Sequence, residues 1–176
     1  MKYMNTYKGI LIDPLNPTPN AICIEDIAHS LSLLCRGGGH LSHFYSVGQH
    51  SINCAREAKA QGLSKRVALA CLLHDASEAY LSDIIRPVKQ YLPRYYEIEK
   101  KFQDAVFAKF NLELTEDELC EVSKIDDLVL INEMHVLMSK DVSKELLPLS
   151  GKINLELTAF ENIEREFIEM TNSLCC

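Results

Sequence analysis

The sequence contains no tryptophan, few glycines and prolines, and no excess of basic residues. Its 176 residues include 7 glycines and 6 prolines, and no low-complexity tract or internal repeat interrupts them. This composition excludes a collagen-like chain or a Pro- and Gly-rich disordered chain. A chain of this length buries roughly 70% of its unfolded surface, so it needs no metal or disulfide merely to fold. We therefore expect one domain over residues 1–176.

Long apolar runs, paired cysteines and a basic face are also missing. No stretch approaches the ~20 apolar residues of a membrane span, and residues 1–12 lack the pattern of a secretory signal. The 7 cysteines show no C-x-x-C spacing, which argues against a disulfide or zinc-finger framework. A net charge of −7 disfavours extended nucleic acid as a partner. We expect a cytoplasmic protein without a membrane partner, in which a bound cation would still admit a small phosphorylated substrate.

Apolar residues recur at helical spacing after an irregular, proline-containing arm of about twenty residues, in which residues 9–12 suit a short strand. The pattern predicts an all-α protein. The predicted helices begin near residues 25, 46, 64, 93 and 115, and a last helix runs from about 156 to 173. Ser46 to Gln49 and Thr115 to Glu118 have the form of capping boxes. The helix that begins at Ser64 continues through Glu78, because no turn signal precedes that residue.

Several ionisable residues fall on predicted inward faces. His50 shares a face with Val47, Cys54 and Ala58, although a histidine in such a place is more often a hydrogen-bonded core residue than a ligand. His74 and Glu78 share a side with Cys71 after an apolar run over residues 67–73. Burying unpaired charge costs several kcal/mol, so such groups pair or bind a cation unless the helix emerges into solvent at His74.

The helix from Thr115 shows the same anomaly. Its apolar stripe consists of Leu119, Val122, Val129 and Val136. Asp126 and Glu133 interrupt this stripe at the same helical phase. Two histidines and two aspartates would form a mixed nitrogen and oxygen donor set that suits a divalent ion with open positions for water and phosphate. His74 and Asp75 point about 100° apart on a helix, so both bind only if the ion lies between them.

The order His50, then His74-Asp75, then Asp126 resembles the H…HD…D signature of the HD superfamily of metal-dependent phosphohydrolases. Four stretches resemble the small bacterial and prophage branch related to HD-domain 5′-deoxynucleotidases: DIAHSLS (26–32), FYSVGQHS (44–51), LHDASEAY (73–80) and DIIRPVK (83–89). The resemblance covers nearly the whole chain. It implies an HD-domain helical bundle and one divalent ion (Co, Mn, Zn, Mg or Fe).

The resemblance also implies roles for individual residues. It makes His50, His74, Asp75 and Asp126 the metal ligands. Asp127 competes for the last position, but Asp126 is in phase with Val122 and Val129.

The same resemblance makes Glu78 the proton-transfer residue, although Glu78 can instead only orient a ligand. Asp83 would contact a substrate hydroxyl or the attacking water, and Arg36 would bind the phosphate. The Gly37 to His40 segment departs from the nucleotidases, which leaves substrate choice open. Three further histidines, His29, His40 and His43, line the pocket or face solvent.

The function that these features favour is removal of phosphate from a (deoxy)nucleoside 5′-monophosphate by a metal-activated water. One alternative is a deoxynucleoside triphosphate triphosphohydrolase. Another, from a different class, is a catalytically silent nucleotide-binding or regulatory protein, which the complete ligand set and Glu78 disfavour. The resemblance also implies a homodimer.

Overall fold

The computed structural model describes residues 2–138 and 146–175 of the protein. Helices make up 62% of these residues and strands 4%, which confirms the all-α class. The helices are α1 (Ile24–Leu33), α2 (Val47–Ala60), α3 (Lys65–Leu73), α4 (Glu78–Leu81), α5 (Arg86–Lys89), α6 (Pro93–Lys109), α7 (Glu116–Leu137) and α8 (Phe160–Cys175). No helix in the described ranges is long and apolar enough to cross a membrane.

The N-terminal arm forms a small hairpin that lies against α1. Strands β1 (Met4–Asn5) and β2 (Leu11–Ile12) pair in antiparallel register, so the predicted strand at residues 9–12 is in part correct. The Lys8 backbone N–H in the turn donates to Asp26 Oδ1 at 2.7 Å, and Ile12 is fully buried. The hydrogen bond thus ties the hairpin to the first turn of α1, and Ile12 joins the hairpin to the core.

Helices α2 and α3 form the centre of the core. Ser46 and Ser64 cap them by accepting hydrogen bonds from the Gln49 and Val67 backbone N–H groups, at 3.1 and 3.2 Å. Gly48 brings α2 close to α1, because a Cβ at this position would lie 3.1 Å from the Leu31 carbonyl carbon. The apolar run over residues 67–73 is buried on all sides, as its sequence predicts.

The prediction that the third helix continues through Glu78 is wrong. Helix α3 ends at Leu73, and residues 74–77 form turns before α4 begins at Glu78. The Ala76 and Glu78 backbone N–H groups donate to the carbonyls three residues earlier, Leu73 and Asp75. These i→i+3 bonds tighten the chain and rotate the side chains that follow relative to a regular α-helix. The backbone remains close to helical angles here, so no glycine or proline marks the change.

Helices α6 and α7 begin where the sequence predicts, at Pro93 and after the complete Thr115 capping box. The predicted inward stripe of α7 is only partly correct. Val122 and Val129 are buried, but Leu119 and Val136 are 46% and 58% exposed. Residues spaced seven apart do not stay on one side of a helix with 3.6 residues per turn. The predicted stripe therefore rotates around α7 along its six turns, and its two ends face solvent.

The chain from 146 to 159 lies across α2 instead of starting the last helix, so the predicted start near residue 156 is wrong. Three buried polar residues of α2, spaced four apart, bind its backbone, and we call them the polar ladder: Gln49, Asn53 and Glu57. Gln49 Nε2 donates to the Asn154 and Glu156 carbonyls at 3.0 Å. The polar ladder thus holds the backbone at residues 154–156 against α2 in a non-helical path, and α8 begins at Phe160.

Candidate metal centre

Two helices and one turn bring the four predicted ligands together. His50 lies in the first turn of α2, His74 and Asp75 follow the end of α3, and Asp126 lies in the middle of α7. His50 Nε2 is 3.1 Å from Asp126 Oδ1 and 3.8 Å from Asp75 Oδ2. His74 Nε2 is 3.2 Å from Asp75 Oδ2 and 3.7 Å from Asp126 Oδ1. Donors about 2.0–2.2 Å from one cation lie roughly 3–3.6 Å apart. The separations of 3.1 and 3.2 Å fall in this range, and those of 3.7 and 3.8 Å are slightly longer.

The ring orientation of both histidines directs Nε2 into this cluster. His50 Nδ1 lies 2.8 Å from Glu133 Oε1, and His74 Nδ1 lies 2.7 Å from the Cys71 carbonyl. The carbonyl can only accept, so His74 carries a proton on Nδ1, and Nε2 is the nitrogen that is left to bind a metal once it has no proton. His74 Nε2 is buried and has no hydrogen-bond partner in the described chain. Such an unpartnered nitrogen among carboxylate oxygens fits a metal ion.

Cys54 joins the same cluster, although the ligand prediction did not include it. Together with His50, His74 and Asp126 it offers donor atoms that all lie within 4.8 Å of one another, a group that could hold a metal ion. The sequence indicated that Cys54 lies near the site, because Cys54 shares a helical face with His50. Burial, followed by the charges of Asp126 and Glu133, raises the pKa of the Cys54 thiol well above its usual range. Asp75, the predicted fourth ligand, is not part of this group, but its Oδ2 lies 3.8 and 3.2 Å from the Nε2 atoms of His50 and His74.

Glu133 contacts His50 on the side away from the donor cluster. Its position in the sequence predicted that it faces inward but not which residues it contacts. Its carboxylate accepts from Tyr45 OH at 2.6 Å and from Arg36 Nε at 3.2 Å, in addition to contacting His50. Burial alone would raise the pKa of Glu133, but His50 and Arg36 lower it below its usual value. Glu133 is therefore a charged residue that fixes the tautomer and orientation of His50.

Arg36 is buried among the carboxylates. Its Nη1 lies 3.3 Å from Asp75 Oδ2 and its Nη2 lies 3.6 Å from Asp126 Oδ1. Burial alone would lower the pKa of the guanidinium, but Glu133, Asp75 and Asp126 together raise it. The Arg36 backbone N–H donates to the Tyr45 carbonyl at 2.9 Å, which places the residue beside the start of α2. Arg36 thus supplies a permanent positive charge in the site.

Glu78 lies at the edge of the cluster on α4. Its Oε1 is 3.6 Å from Lys89 Nζ, and its Oε2 is buried without a hydrogen-bond partner among the described residues. Burial, and then the charges of Asp75 and Asp83, raise the pKa of Glu78 to about 9. At neutral pH the side chain therefore carries a proton in this state.

Asp83 and Asp127 do not contribute to the donor cluster. Asp83 Oδ2 accepts from the Gly37 backbone N–H at 3.1 Å, so it fixes the glycine turn next to Arg36. Ser82 before it adopts φ 77° and ψ 154°, a strained combination for a residue with a side chain. Asp127 is 55% exposed and pairs with Arg86, whose other nitrogen contacts Asp126.

The remaining predicted pocket histidines lie elsewhere. His29 stacks on Tyr7 and contacts Glu164, and His43 Nε2 lies 2.9 Å from the Leu155 carbonyl. His40 is exposed after the glycine turn. None of the three belongs to the donor group formed by His50 and its neighbours within the described residues.

No protein-family model matches this chain. It is 41% identical over 114 residues to the uncharacterized protein YfdR of Escherichia coli, a match that covers 64% of this chain and 60% of YfdR. It is also 41% identical over 110 residues to an uncharacterized protein of Rhodobacter capsulatus, across 59% of this chain and 56% of that protein. The chain thus spans at most 60% of the length of these two relatives.

The charges of the cluster are arranged to be neutralised by a cation. Burial alone would raise the pKa of Asp75 and Asp126, but the two histidines lower both values far below the usual range. Burial would lower the pKa of His74, but Asp75 and Asp126 raise it well above its usual value. The site therefore stabilises positive charge at its centre, which a proton or a divalent ion can supply.

Proposed function

We propose that the protein is a metal-dependent phosphohydrolase that removes phosphate from (deoxy)nucleoside 5′-monophosphates. One divalent ion would be held by His50, His74, Asp75 and Asp126. The observation that carries the proposal is the convergence of their donor atoms around the buried, unpartnered Nε2 of His74. The substrate class comes from the resemblance to the HD-domain 5′-deoxynucleotidases.

The chemistry follows from the groups around these donors. A divalent ion held by these residues would supply positive charge next to a phosphoryl oxygen and would make a nearby water more acidic. The water oxygen forms the new bond to phosphorus while the bond from phosphorus to the 5′ oxygen breaks. Glu78, which is protonated, would give its proton to the departing 5′ oxygen and would regain one that the attacking water leaves on the new phosphate. Asp83 acts through the Gly37 turn, which positions Arg36.

Arg36 would contact the phosphate by exchanging partners. Its Nη atoms now face Asp75 and Asp126, and Nε is held by Glu133. Once those two aspartates bind a cation, their attraction for the guanidinium weakens and both Nη atoms can donate to phosphate oxygens. Glu133 keeps the side chain in place during this exchange.

One observation favours a deoxynucleoside triphosphate triphosphohydrolase as the second candidate. Arg86 contacts Asp126 and Lys89 approaches Glu78, so two further cations lie at the edge of the donor cluster. A triphosphate needs more positive charge than a monophosphate, and these residues could supply it. Lys124 pairs with Glu121 on the surface and offers no such contact.

A substrate panel tests the proposal. Purified protein is incubated with deoxynucleoside mono- and triphosphates and cobalt, manganese, zinc or magnesium, and the products are separated by chromatography. We expect nucleoside and orthophosphate from the monophosphates, and no turnover by Asp126→Asn. Rapid release of tripolyphosphate with untouched monophosphates would instead establish the triphosphohydrolase. A metal-loaded protein that binds nucleotide but turns over neither class would be the silent regulatory protein. Light scattering of the same samples tests the homodimer that the resemblance implies.

A further inference from the structure

The candidate metal centre contains two alternative fourth donors. His50, His74 and Asp126 belong to both donor sets, and we call them the shared donors. Cys54 completes one set, in which all four donor atoms lie within 4.8 Å of one another. Asp75 completes the other, because its Oδ2 lies 3.2 Å from His74 Nε2 and 3.8 Å from His50 Nε2. The first set therefore includes a sulfur atom, and the second contains only nitrogen and oxygen.

The position of Cys54 is that of a ligand. Cys54 lies four residues after His50 on α2, so both side chains lie on the same side of the helix. The residue is 1% exposed, and its Sγ lies 3.4 Å from His50 Nε2. Nitrogen and sulfur donors at about 2.1 and 2.3 Å from one tetrahedral ion lie roughly 3.6 Å apart, close to this separation. His74 Nε2, which is buried without a hydrogen-bond partner in the part of the chain that the structure describes, belongs to the same set.

The two alternative donors prefer different ions. Thiolate sulfur favours thiophilic ions such as zinc, whereas carboxylate oxygen favours magnesium and manganese. Cys54 lies on α2 and Asp75 lies in the turn after α3, so the two donors reach the shared donors from different elements. Asp75 Oδ2 also has a second partner, Arg36 Nη1 at 3.3 Å, which it can keep when an ion binds the sulfur instead.

We propose that Cys54 is a metal ligand that determines which ion the site prefers. A thiophilic ion such as zinc, cobalt or cadmium binds Cys54 and the shared donors, whereas an oxygen-preferring ion binds Asp75 in place of Cys54. When the sulfur binds, its S–H bond breaks, a bond from sulfur to the ion forms, and the proton passes to the buffer. This inference rests on the metal centre of the proposed function and adds the class of ion that the centre selects.

Cobalt and manganese distinguish the two donor sets in the full chain. Cobalt bound to a thiolate gives an intense charge-transfer absorption in the near ultraviolet, which cobalt bound only to nitrogen and oxygen lacks. We expect this absorption in the wild type and its loss in Cys54→Ser, which has nearly the same size but no sulfur. In competition with a chelator, Cys54→Ser should bind cobalt at least about tenfold more weakly, while its affinity for manganese changes by less than about threefold.

Three further variants serve as the reciprocal test and the controls. Asp75→Asn should lower the affinity for manganese at least about tenfold and keep the cobalt absorption. Cys71→Ser is the matched control, because Cys71 is buried on α3 and does not belong to the donor group found among the described residues. It should keep the absorption and both affinities. A chain with serine at Cys120, Cys175 and Cys176 should also keep the absorption, which excludes cobalt bound at these three cysteines.

Three results would overturn the proposal. They are cobalt binding to the wild type without the absorption, an absorption that survives in Cys54→Ser, and its loss in Cys71→Ser. If manganese still binds and the substrate panel shows turnover, only the role of Cys54 is wrong. If neither ion binds the wild type, the metal centre itself is wrong and this inference fails with it. Should Cys54→Ser fail to fold, Cys54→Ala repeats the comparison, and the wild-type spectrum still decides the first result.

Discussion

At the scale of single residues, Asp126 and Asp127 are neighbours in different surroundings. Asp126 contacts both histidines, whereas Asp127 is exposed and pairs with Arg86. We predict that Asp126→Asn lowers the metal content from about one ion per chain to a small fraction and removes the thermal stabilisation by metal. Asp127→Asn is the matched control and should keep both. Elemental analysis and thermal unfolding measure the difference, and equal metal content in the two variants would refute the assignment of Asp126.

Glu78 separates binding from chemistry. Glu78→Gln retains the size of the side chain but cannot transfer a proton, so we predict full metal content and a turnover rate that falls by roughly 100-fold or more. Burial raises the pKa of Glu78 from 4.5 to about 9, so the folded protein keeps this proton at pH values where the unfolded chain has lost it. The free energy of unfolding therefore falls as the pH rises from about 4.5 to about 9. The variant should therefore unfold at the same or a higher temperature at pH 8. Normal turnover with metal bound would remove Glu78 from the proposed mechanism.

Helical phase alone placed His50, Asp126 and Glu133 on inward faces, and the structure has these three in contact. Helical phase does not predict which residue each of these side chains contacts. The Tyr45 hydroxyl reaches Glu133 across 88 positions in sequence, and Arg36 reaches it across 97. Such contacts depend on how helices cross, which periodicity in one helix does not contain.

At the scale of elements, Glu57 fastens the chain after residue 146 to α2. Its two oxygens accept from the Ser150 and Gly151 backbone N–H groups at 2.9 and 2.8 Å, and the side chain is fully buried. We predict that Glu57→Ala lowers the free energy of unfolding by about 2–4 kcal/mol, because two charge-assisted bonds are lost and two N–H groups remain unsatisfied. Urea unfolding followed by circular dichroism measures this loss. Glu97→Ala, an exposed change on α6, is the control and should alter it by less than about 0.5 kcal/mol.

The stabilisation that Glu57 provides should depend on pH. Burial alone would raise the pKa of Glu57, but its bonds to Gln61, Ser150 and Gly151 lower it below its usual value of 4.5. Its contribution to stability is therefore fully present above pH 4.5 and is lost as the pH falls through the lowered pKa. The difference in unfolding free energy between wild type and Glu57→Ala should shrink when the pH is lowered from 7 to 3.

Ser82, between α4 and Asp83, provides a test of backbone strain. Its φ of 77° with ψ of 154° is a region that glycine occupies freely and other residues rarely adopt. We predict that Ser82→Gly stabilises the protein by roughly 1 kcal/mol, while Ser82→Ala, which keeps the strain, does not. Thermal unfolding of the two variants distinguishes them. A Ser82→Gly protein that is less stable than Ser82→Ala would show that the segment carries no strain.

Most helix boundaries follow from local chemistry, since Ser46, Ser64, Pro93 and Thr115 each satisfy or tolerate the free N–H groups of a first turn. The end of α3 and the late start of α8 do not. At the end of α3 the chain forms tighter turns, and before α8 the polar ladder holds the backbone against α2. A single sequence does not identify these partners, because they are chosen in the folded chain.

At the scale of the whole molecule, metal uptake should be coupled to protons. Carboxylates raise the pKa of His50 and His74 in the metal-free protein, against the opposing effect of burial. The stability from their protonation is fully present below about pH 6.5 and is lost as the pH rises through the raised values. We predict proton release on metal binding at pH 6.5, and an apparent affinity that rises with pH. Calorimetry in buffers of different ionisation enthalpy measures it. His43→Gln, outside the cluster, should release the same number of protons, and a heat that is independent of buffer would contradict the coupling.

The polar ladder on α2 binds peptide groups, and peptide groups are the same in every protein. Asn53, for example, pairs its amide with the N–H and carbonyl of Asn154, much as a neighbouring strand would. These bonds do not depend on the side chains of most of the residues that form them. Gly151 is an exception, because a Cβ at this position would lie 2.9 Å from the Ala60 Cβ. The side chains of Lys152 and Glu156 are exposed. We therefore expect that other residues at these two positions leave the backbone conformation unchanged. We expect related proteins to differ in the exposed side chains of this stretch while its backbone keeps the same bonds to α2.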